Sequence, residues 1–427
     1  MNKTQTFLFI AIFANTIYLL ITFIFFYFLD NPVMSFENND YKTFHDAGLI
    51  ILEDLPDLYD PSLYLFPFRY FPLSAYFFIP FSLLGLKGGY FAFQIFNFFL
   101  NFINMYLIFK IVQIYKNINP KIDLRYKLDS PRQIFSHSEN ESILHQNAVY
   151  LIMAAQFMNY FLGQINILVT FFTLASVFYF LKGGTKNDLL GGFFLGFGIL
   201  FKPTLILILP FIIPLTYNRN NKKLLFGLNQ TILRFCGTIV LLVISGIFFL
   251  IYPKMLTDFI EVNFAGKYTS NLGDDVGINP SFSLTRIVLT FFGLIGLNFS
   301  NFLVFIAIMF LFWLPMYFLY ISSSDQSNRL IFGYFAGILI ISIVYFDTWP
   351  HHLIVLAPFL ILFIILNKDF ERINAVKSIH YLLVTIILGF WLLFYLTYKI
   401  FPFNIGGLVL LILLYYNVLM YFRNKHH

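Results

Sequence analysis

The chain has 427 residues, of which 59% are apolar, 21% are aromatic and only 11% are charged. A water-soluble fold could not bury so much apolar surface, and about 25% of the residues of an ordinary soluble domain are charged. The composition therefore excludes a soluble enzyme, a disordered chain and a coiled coil, and it predicts a polytopic membrane protein. Cys236 is the only cysteine, which also excludes an internal disulfide and a cysteine-rich metal site.

Long uncharged runs alternate with short charged segments along the chain. The first run, between Lys3 and Asp30, can cross a bilayer core of about 30 Å, and it lacks the short apolar core and cleavage site of a signal peptide. Counting the later runs in the same way predicts about 12 transmembrane helices. We therefore expect an all-α polytopic membrane protein in which residues 1–427 form a single integral membrane domain.

Three longer polar segments interrupt these runs, and each is too short for a separate soluble domain. Cytoplasmic loops of membrane proteins carry an excess of Lys and Arg. If both termini are cytoplasmic and the apolar run 71–86 is re-entrant or interfacial, 19 of the 27 Lys and Arg residues lie inside. Residues 30–70 and 254–286 then form the first and second extracytoplasmic loops, and residues 110–145 form a cytoplasmic loop.

The first extracytoplasmic loop is strongly acidic. It contains eight of the 21 acidic residues of the chain, but only Lys42 and Arg69 as basic residues. For any single acid, the simple interpretation is a solvated loop residue. The alternative is a carboxylate that acts as a base at the outer membrane surface.

Four motifs rich in polar and small residues follow one another along the chain. They are Asp40-Tyr-Lys-Thr-Phe-His-Asp-Ala-Gly with the later Leu58-Tyr-Asp60 and Phe68-Arg-Tyr-Phe-Pro72-Leu, Asn159-Tyr-Phe-Leu-Gly-Gln-Ile-Asn166, Gly191-Gly-Phe-Phe-Leu-Gly-Phe-Gly-Ile-Leu-Phe-Lys202-Pro203, and Thr348-Trp-Pro-His351-His352. In this order they resemble the motifs of glycosyltransferase family 87, although Phe71 stands where the family has a proline.

The resemblance implies a C-superfamily glycosyltransferase with a helical membrane core and an extracytoplasmic active site formed by outer loops. It also implies a polyprenyl-phosphate sugar donor, most often mannose, and a lipid or glycan acceptor, in the plasma membrane. Such chemistry needs a carboxylate near the acceptor hydroxyl and cations near the leaving phosphate. We expect membrane lipids as further partners, no nucleic acid, no cofactor and, without a His/Cys cluster, no metal site.

Asp40 is the predicted catalytic base, because it matches the position of the family's loop aspartate. Asp46 is the second candidate, and otherwise an acceptor contact. Six residues separate the two, so a helix would turn their carboxylates to nearly opposite faces. We do not expect them to act as a pair.

The donor phosphate is assigned to Lys202, His351, Arg69 and Arg286. Lys202 separates two short uncharged runs and is expected at the outer tip of a helical hairpin, although it could instead extend to the membrane interface. Either arginine could clamp a phosphate or anchor the chain at the membrane surface. His351 could alternatively pack beside Trp349.

Sugar and acceptor contacts are assigned to Gln164, Asn166, His352 and Asn279, together with Asp46. Gln164 and Asn166 lie at an outer turn inside an apolar run, where an unpaired amide is costly. The alternative is that the two amides only cap the flanking helices.

The main alternative function is a transporter or lipid flippase, and another is an assembly subunit without chemistry. Transporters place ionisable residues near mid-membrane and often contain paired repeats. Here the charges lie at the ends of runs and in outer loops, and no repeat is visible. The sequence therefore favours the glycosyltransferase.

Cysteine labelling tests the predicted orientation. In a Cys236→Ser background, Asn38→Cys should react with an impermeant maleimide on intact cells, because residues 30–70 are expected outside. Lys127→Cys should react only after permeabilisation. Labelling of Lys127→Cys in intact cells would overturn either the orientation or the non-crossing assignment of residues 71–86.

Overall fold

The computed structural model describes residues 3–28, 35–116, 144, 147–218, 223–263, 281–297, 299–322, 326–366 and 405–425. The fold is almost entirely helical. The α-helices are α1 (Lys3–Phe28), α2 (Asp40–Glu53), α3 (Pro72–Ala75), α4 (Ile79–Ser82), α5 (Gly85–Lys116), α6 (Ala154–Leu162), α7 (Asn166–Lys182), α8 (Thr185–Phe201), α9 (Leu228–Ile251), α10 (Pro253–Asn263), α11 (Leu284–Leu294), α12 (Asn301–Ser322), α13 (Gln326–Val344), α14 (Leu353–Leu366) and α15 (Ile405–Lys425).

Short 3₁₀ helices and one β-hairpin complete the described structure. The 3₁₀ helices are Phe36–Asn38, Leu55–Asp57, Pro61–Leu63, Tyr76–Phe78, Pro203–Ile212 and Pro350–His352. Strands β1 (Leu215–Asn218) and β2 (Lys223–Phe226) pair antiparallel, with Leu215 opposite Phe226. This hairpin is the one departure from the predicted all-α fold within the described residues.

Four of the described helices are long and apolar enough to cross a membrane. They comprise Gln5–Phe28, Gly85–Tyr115, Leu228–Ile251 and Asn301–Ser322. Shorter apolar helices of 10–17 residues lie between and after them. The chain is therefore a helical membrane protein. The total of about 12 crossings stays a prediction, and the crossing expected at residues 378–398 lies outside the described residues.

The apolar run 71–86 does not form one long helix. It folds as α3, the 3₁₀ helix Tyr76–Phe78 and α4, with a proline in the first turn of both α3 and α4. Eleven helical residues extend only about 16 Å, roughly half of a bilayer core. This length agrees with the re-entrant or interfacial segment that the charge distribution predicts.

A left-handed glycine breaks the long apolar run between residues 146 and 181. Helix α6 ends at Gly163, which has a φ angle of +66°. A Cβ atom at this position would lie 2.5 Å from Cβ of Tyr41, so both the backbone conformation and the available space require glycine. The turn therefore lies directly against α2, and it brings Gln164 and Asn166 close to the segment 30–70.

Helices α8 and α9 approach each other through glycines. A Cβ added at Gly192 would lie 2.2 Å from the carbonyl oxygen of Arg234, and one at Gly237 would lie 2.2 Å from that of Leu189. A buried ion pair joins the same helices, since Arg234 Nε donates to Asp188 Oδ1 at 2.8 Å. The close packing of α8 and α9 positions Lys202, which directly follows the last residue of α8.

Replacing Gly192 by alanine should lower the melting temperature of the purified protein, because the two helix backbones must move apart. Overpacking of this kind costs about 1–3 kcal/mol. Gly246→Ala is the matched control, since a Cβ at Gly246 in α9 meets no atom within 4 Å. The control should melt at the parent temperature or slightly higher. Equal melting temperatures for the two variants would contradict the close contact.

Candidate active site

Asp40 is the first residue of α2 and lies against the Gly163 turn. Asn39 caps the helix, because its side-chain oxygen accepts from the Tyr41 N–H at 2.9 Å and its amide donates to the Phe161 carbonyl at 2.8 Å. The Asp40 carboxylate accepts from Gln164 Nε2 at 2.5 Å. The α6–α7 turn thus orients the predicted base directly.

The environment of Asp40 favours a weakly acidic carboxyl group. Burial raises the pKa of Asp40 from 3.8 to about 6, although the hydrogen bond from Gln164 and the nearby charge of Arg69 both favour the ionised form. A fraction of its surface remains accessible. A carboxylate with this pKa is ionised at neutral pH and can still accept a proton there.

Asp46 has a different environment, about 1.7 turns further along α2. Lys42 Nζ lies 2.8 Å from its Oδ2 atom, and His45 Nδ1 lies 3.0 Å from its Oδ1 atom. Although burial acts in the opposite direction, these two contacts hold the pKa of Asp46 below its ordinary value. Both carboxylate oxygens are occupied by α2's own side chains, and no contact joins Asp46 to Asp40.

Lys202 lies at the end of α8, where Pro203 begins the next 3₁₀ helix. Its Nζ atom donates to Asn166 Oδ1 at 2.9 Å, and Asn166 Nδ2 donates to Asn159 Oδ1 at 3.0 Å. Because Gln164 binds Asp40, a single turn of the chain contacts both the predicted base and the predicted phosphate-binding lysine.

The rings of the two histidines pack against each other, with centroids 4.4 Å apart, but their polar contacts differ. The backbone carbonyl of His351 accepts from Asn159 Nδ2 at 2.9 Å. The ring of His351 packs near Trp349, and its Nδ1 atom is buried without a partner among the described residues. Nδ1 of His352 accepts from the backbone N–H of Trp349 at 3.3 Å. This contact assigns the ring proton of neutral His352 to Nε2, which can then donate to a ligand.

Arg69 and Arg286 converge on one carboxylate, that of Asp347. Arg286 Nη1 donates to Asp347 Oδ1 at 2.6 Å, and Arg69 Nη1 donates to Asp347 Oδ2. Arg69 Nη1 also lies 3.5 Å from the hydroxyl of Tyr345. Residues that are distant in the sequence therefore meet at one charged cluster.

A small cavity lies beside Lys202. It has a polar side, to which Lys202, His352, Tyr345 and Thr348 contribute, and an apolar wall. The lining consists of Lys202, Leu205, Ile338, Ile341, Ser342, Tyr345, Thr348, His352 and Val355. Tyr345 belongs to the lining and also contacts Arg69, so the cavity lies next to the arginine cluster.

The structure gathers most of the predicted site residues into one region. The α6–α7 turn connects Asp40, Gln164, Asn166 and Lys202, and Asn159 links it to the His351–His352 segment. Arg69 is near enough for its charge to act on Asp40, and Arg286 joins Arg69 through Asp347. Asp46 stands apart on α2, and Asn279 lies outside the described residues. Among the described residues, no group of three or more His, Cys, Asp or Glu side chains could hold a metal ion.

The sequence reasoning did not assign Asp347 or Tyr345. The signal for Asp347 was present, because it is the only charged residue between the uncharged runs 330–346 and 348–367. An isolated acid at a membrane surface needs a cation nearby. The sequence could not tell which of the basic residues would supply it.

Comparison with known proteins gives one family. The model of glycosyltransferase family 87 matches residues 68–346, which is more than half of the chain. The match includes Arg69, Gln164, Lys202 and Arg286. A search of the curated proteins found no match.

Proposed function

The chain belongs to glycosyltransferase family 87, as the four motifs predicted, and we propose that this membrane glycosyltransferase transfers a hexose, with mannose expected, from a polyprenyl-phosphate carrier. The acceptor is a hydroxyl group of a lipid or glycan on the extracytoplasmic side. One observation carries the proposal: a carboxylate with a raised pKa and three cationic side chains surround the same small region.

The charges of this region suit a phosphate leaving group. Arg69 and Arg286 bring two positive charges, of which Asp347 balances one, and Lys202 adds a buried amine that is positively charged when protonated. A bound phosphate favours this charged form of Lys202. A polyprenyl-phosphate sugar carries one negative charge on its phosphodiester, and this charge increases on the departing phosphate as the sugar bond breaks.

The walls of the cavity suit a lipid carrier. Leu205, Ile338, Ile341 and Val355 form an apolar surface beside Lys202 and His352. A donor with a phosphate next to an isoprenoid chain presents the same succession of polar and apolar groups. Binding the phosphate near Lys202 would pair the buried amine with an anion, and an isoprenoid chain would then extend from this apolar wall towards the lipid once the helices move apart.

Asp40 is the proposed base of the transfer. The acceptor hydroxyl oxygen attacks the anomeric carbon of the donor sugar, and its proton passes to Asp40. The bond between that carbon and the phosphate oxygen breaks, and its electron pair stays on the phosphate beside the cations. Attack opposite the leaving group inverts the configuration at the sugar carbon. Gln164 holds the Asp40 carboxylate in place for this step.

The same proposal includes the arrangement in the membrane. We place both termini in the cytoplasm of the cell membrane, with residues 30–70 and 254–286 outside and residues 110–145 inside. About 12 crossings would give the C-superfamily architecture that the family resemblance implies. Asn279 in the second outer loop then remains a candidate acceptor contact.

Asp40→Asn should lower the single-turnover rate of transfer by roughly 100-fold or more, the scale of general-base loss, while donor affinity changes only a few-fold. In the parent, the rate should rise with pH through about 6 and level off above it, because Asp40 must be ionised to accept the proton. Radiolabelled polyprenyl-phosphate mannose and a membrane-lipid extract provide the assay.

Asp46→Asn is the matched control, since it removes a carboxylate from the same helix. It should keep most of the activity and the same pH dependence. Near-normal turnover of Asp40→Asn, with loss in Asp46→Asn, would transfer the role of base to Asp46.

Lys202→Ala should weaken donor binding and slow transfer together, each by about 10-fold or more, because the lysine contacts the phosphate before and during bond breakage. Lys202→Arg should keep partial activity, since it retains the charge with another shape. His351→Ala should resemble Lys202→Ala if its imidazole shares the phosphate, and should be milder if it only packs beside Trp349.

Lys182→Ala serves as the control for general loss of charge, because Lys182 lies over the ring of Phe178 in the last turn of α7. It should bind donor as the parent does. If Lys202→Ala also binds donor and turns over like the parent, Lys202 is an interface residue and the proposed phosphate site is wrong.

A further inference from the structure

We propose that Asp347 is a positioning residue of the transfer reaction: it holds Arg69 and Arg286 in the orientation in which they meet the donor phosphate. This inference rests on the proposed function. It assigns to Asp347 a task that differs from phosphate binding, because a carboxylate repels a phosphate and acts only through its two arginines.

The contacts of Asp347 join separate parts of the chain. Arg69 belongs to the first outer loop, Arg286 belongs to the first turn of α11, and Asp347 follows α13. Each arginine donates to a different oxygen of the Asp347 carboxylate. When one guanidinium group binds, it fixes the plane of the Asp347 carboxylate. The other guanidinium group must then bind in that same plane.

The backbone around Asp347 is itself fastened to the segment that precedes α11. The Phe282 N–H donates to the Thr348 carbonyl at 3.1 Å, the Ser281 hydroxyl donates to the Phe346 carbonyl at 3.1 Å, and the Ser283 hydroxyl donates to the Val344 carbonyl at 3.3 Å. Asp347 and Arg286 thus lie on one backbone frame, formed by these hydrogen bonds between residues 281–283 and 344–348. The ion pair of Asp347 with Arg69 attaches the first outer loop to this frame.

The neighbours of Asp347 in the sequence connect this frame to the cavity. Tyr345 and Thr348 both line it, together with Lys202, and the Thr348 hydroxyl donates to the Tyr345 carbonyl at 2.9 Å. A change in the direction of Asp347 would move the two guanidinium groups relative to Lys202. Misplacement by about 1 Å is enough to cost roughly 100-fold in rate.

The charge balance separates this role from simple stabilisation. Arg286 is only 2% exposed, and Asp347 is its ion-pair partner. Without the carboxylate, the site gains one net positive charge, which attracts a phosphate more strongly, while the arginines lose their common anchor. Donor binding and transfer rate should therefore respond in opposite directions.

The test measures donor affinity, single-turnover rate and melting temperature for Asp347→Asn and Asp347→Glu, with polyprenyl-phosphate mannose as the probe. Asp347→Asn should bind the donor at least as tightly as the parent and transfer the sugar roughly 10- to 100-fold more slowly. Asp347→Glu should recover part of the rate, because it restores the charge. Combining Asp347→Asn with Arg69→Ala should slow transfer by less than the product of the two single effects, because part of the Asp347→Asn effect acts through Arg69 and the rest through Arg286.

Asp188→Asn is the matched control, because it removes the carboxylate of the buried pair with Arg234 between α8 and α9. It should lower the melting temperature without tighter donor binding. The inference is wrong if Asp347→Asn matches the control in all three measurements, if it transfers at the parent rate, or if its loss adds fully to that of Arg69→Ala. If Lys202→Ala loses donor binding and transfer while Asp347→Asn keeps the parent values of both, only this inference is refuted. If both variants keep the parent values, the proposed function is refuted as well.

Discussion

Polar groups that this chain buries among its apolar helices are stabilised by partners within the protein, because lipid offers none and an unpaired amide costs about 2–7 kcal/mol. Helix α5 carries a buried stripe of such groups, Gln94, Asn97, Asn101 and Asn104, at helical spacing. The three asparagine amides donate to other segments of the chain, whereas Gln94 has no partner among the described residues. Asn101 donates to Tyr160 at 2.7 Å, and Asn97 lies 3.4 Å from the Gln164 carbonyl. This polar stripe fixes the position of α6 and of the turn that follows it.

The candidate site depends on that turn. Gln164 reaches Asp40 on one side, and Asn166 reaches Lys202 on the other. Helix packing therefore sets the separation between the proposed base and the proposed phosphate-binding lysine before any substrate arrives. Preorganisation of this kind lowers the energy needed to align charges during the reaction, which a flexible outer loop alone would not provide.

Two carboxylates of α2 show how strongly the environment decides chemical character. Asp46 is held in its ionised form by Lys42 and His45, whereas burial raises the pKa of Asp40 to about 6. The residue types are identical and lie six positions apart. The difference arises because Asp40 stands at the buried N-terminus of the helix against another part of the chain, whereas Asp46 is paired by its own helix.

The sequence by itself determined the membrane class and the family, and it indicated most of the polar residues that the structure gathers at the candidate site, because composition, charge placement and short motifs are local properties. It also indicated the breaks at Gly163 and Lys202. It could not assign Asp347 to Arg69 and Arg286, or distinguish the surroundings of His351 from those of His352. The pairs of Asp347 join segments more than 60 residues apart, and only the packing of the helices decides which buried charges become neighbours.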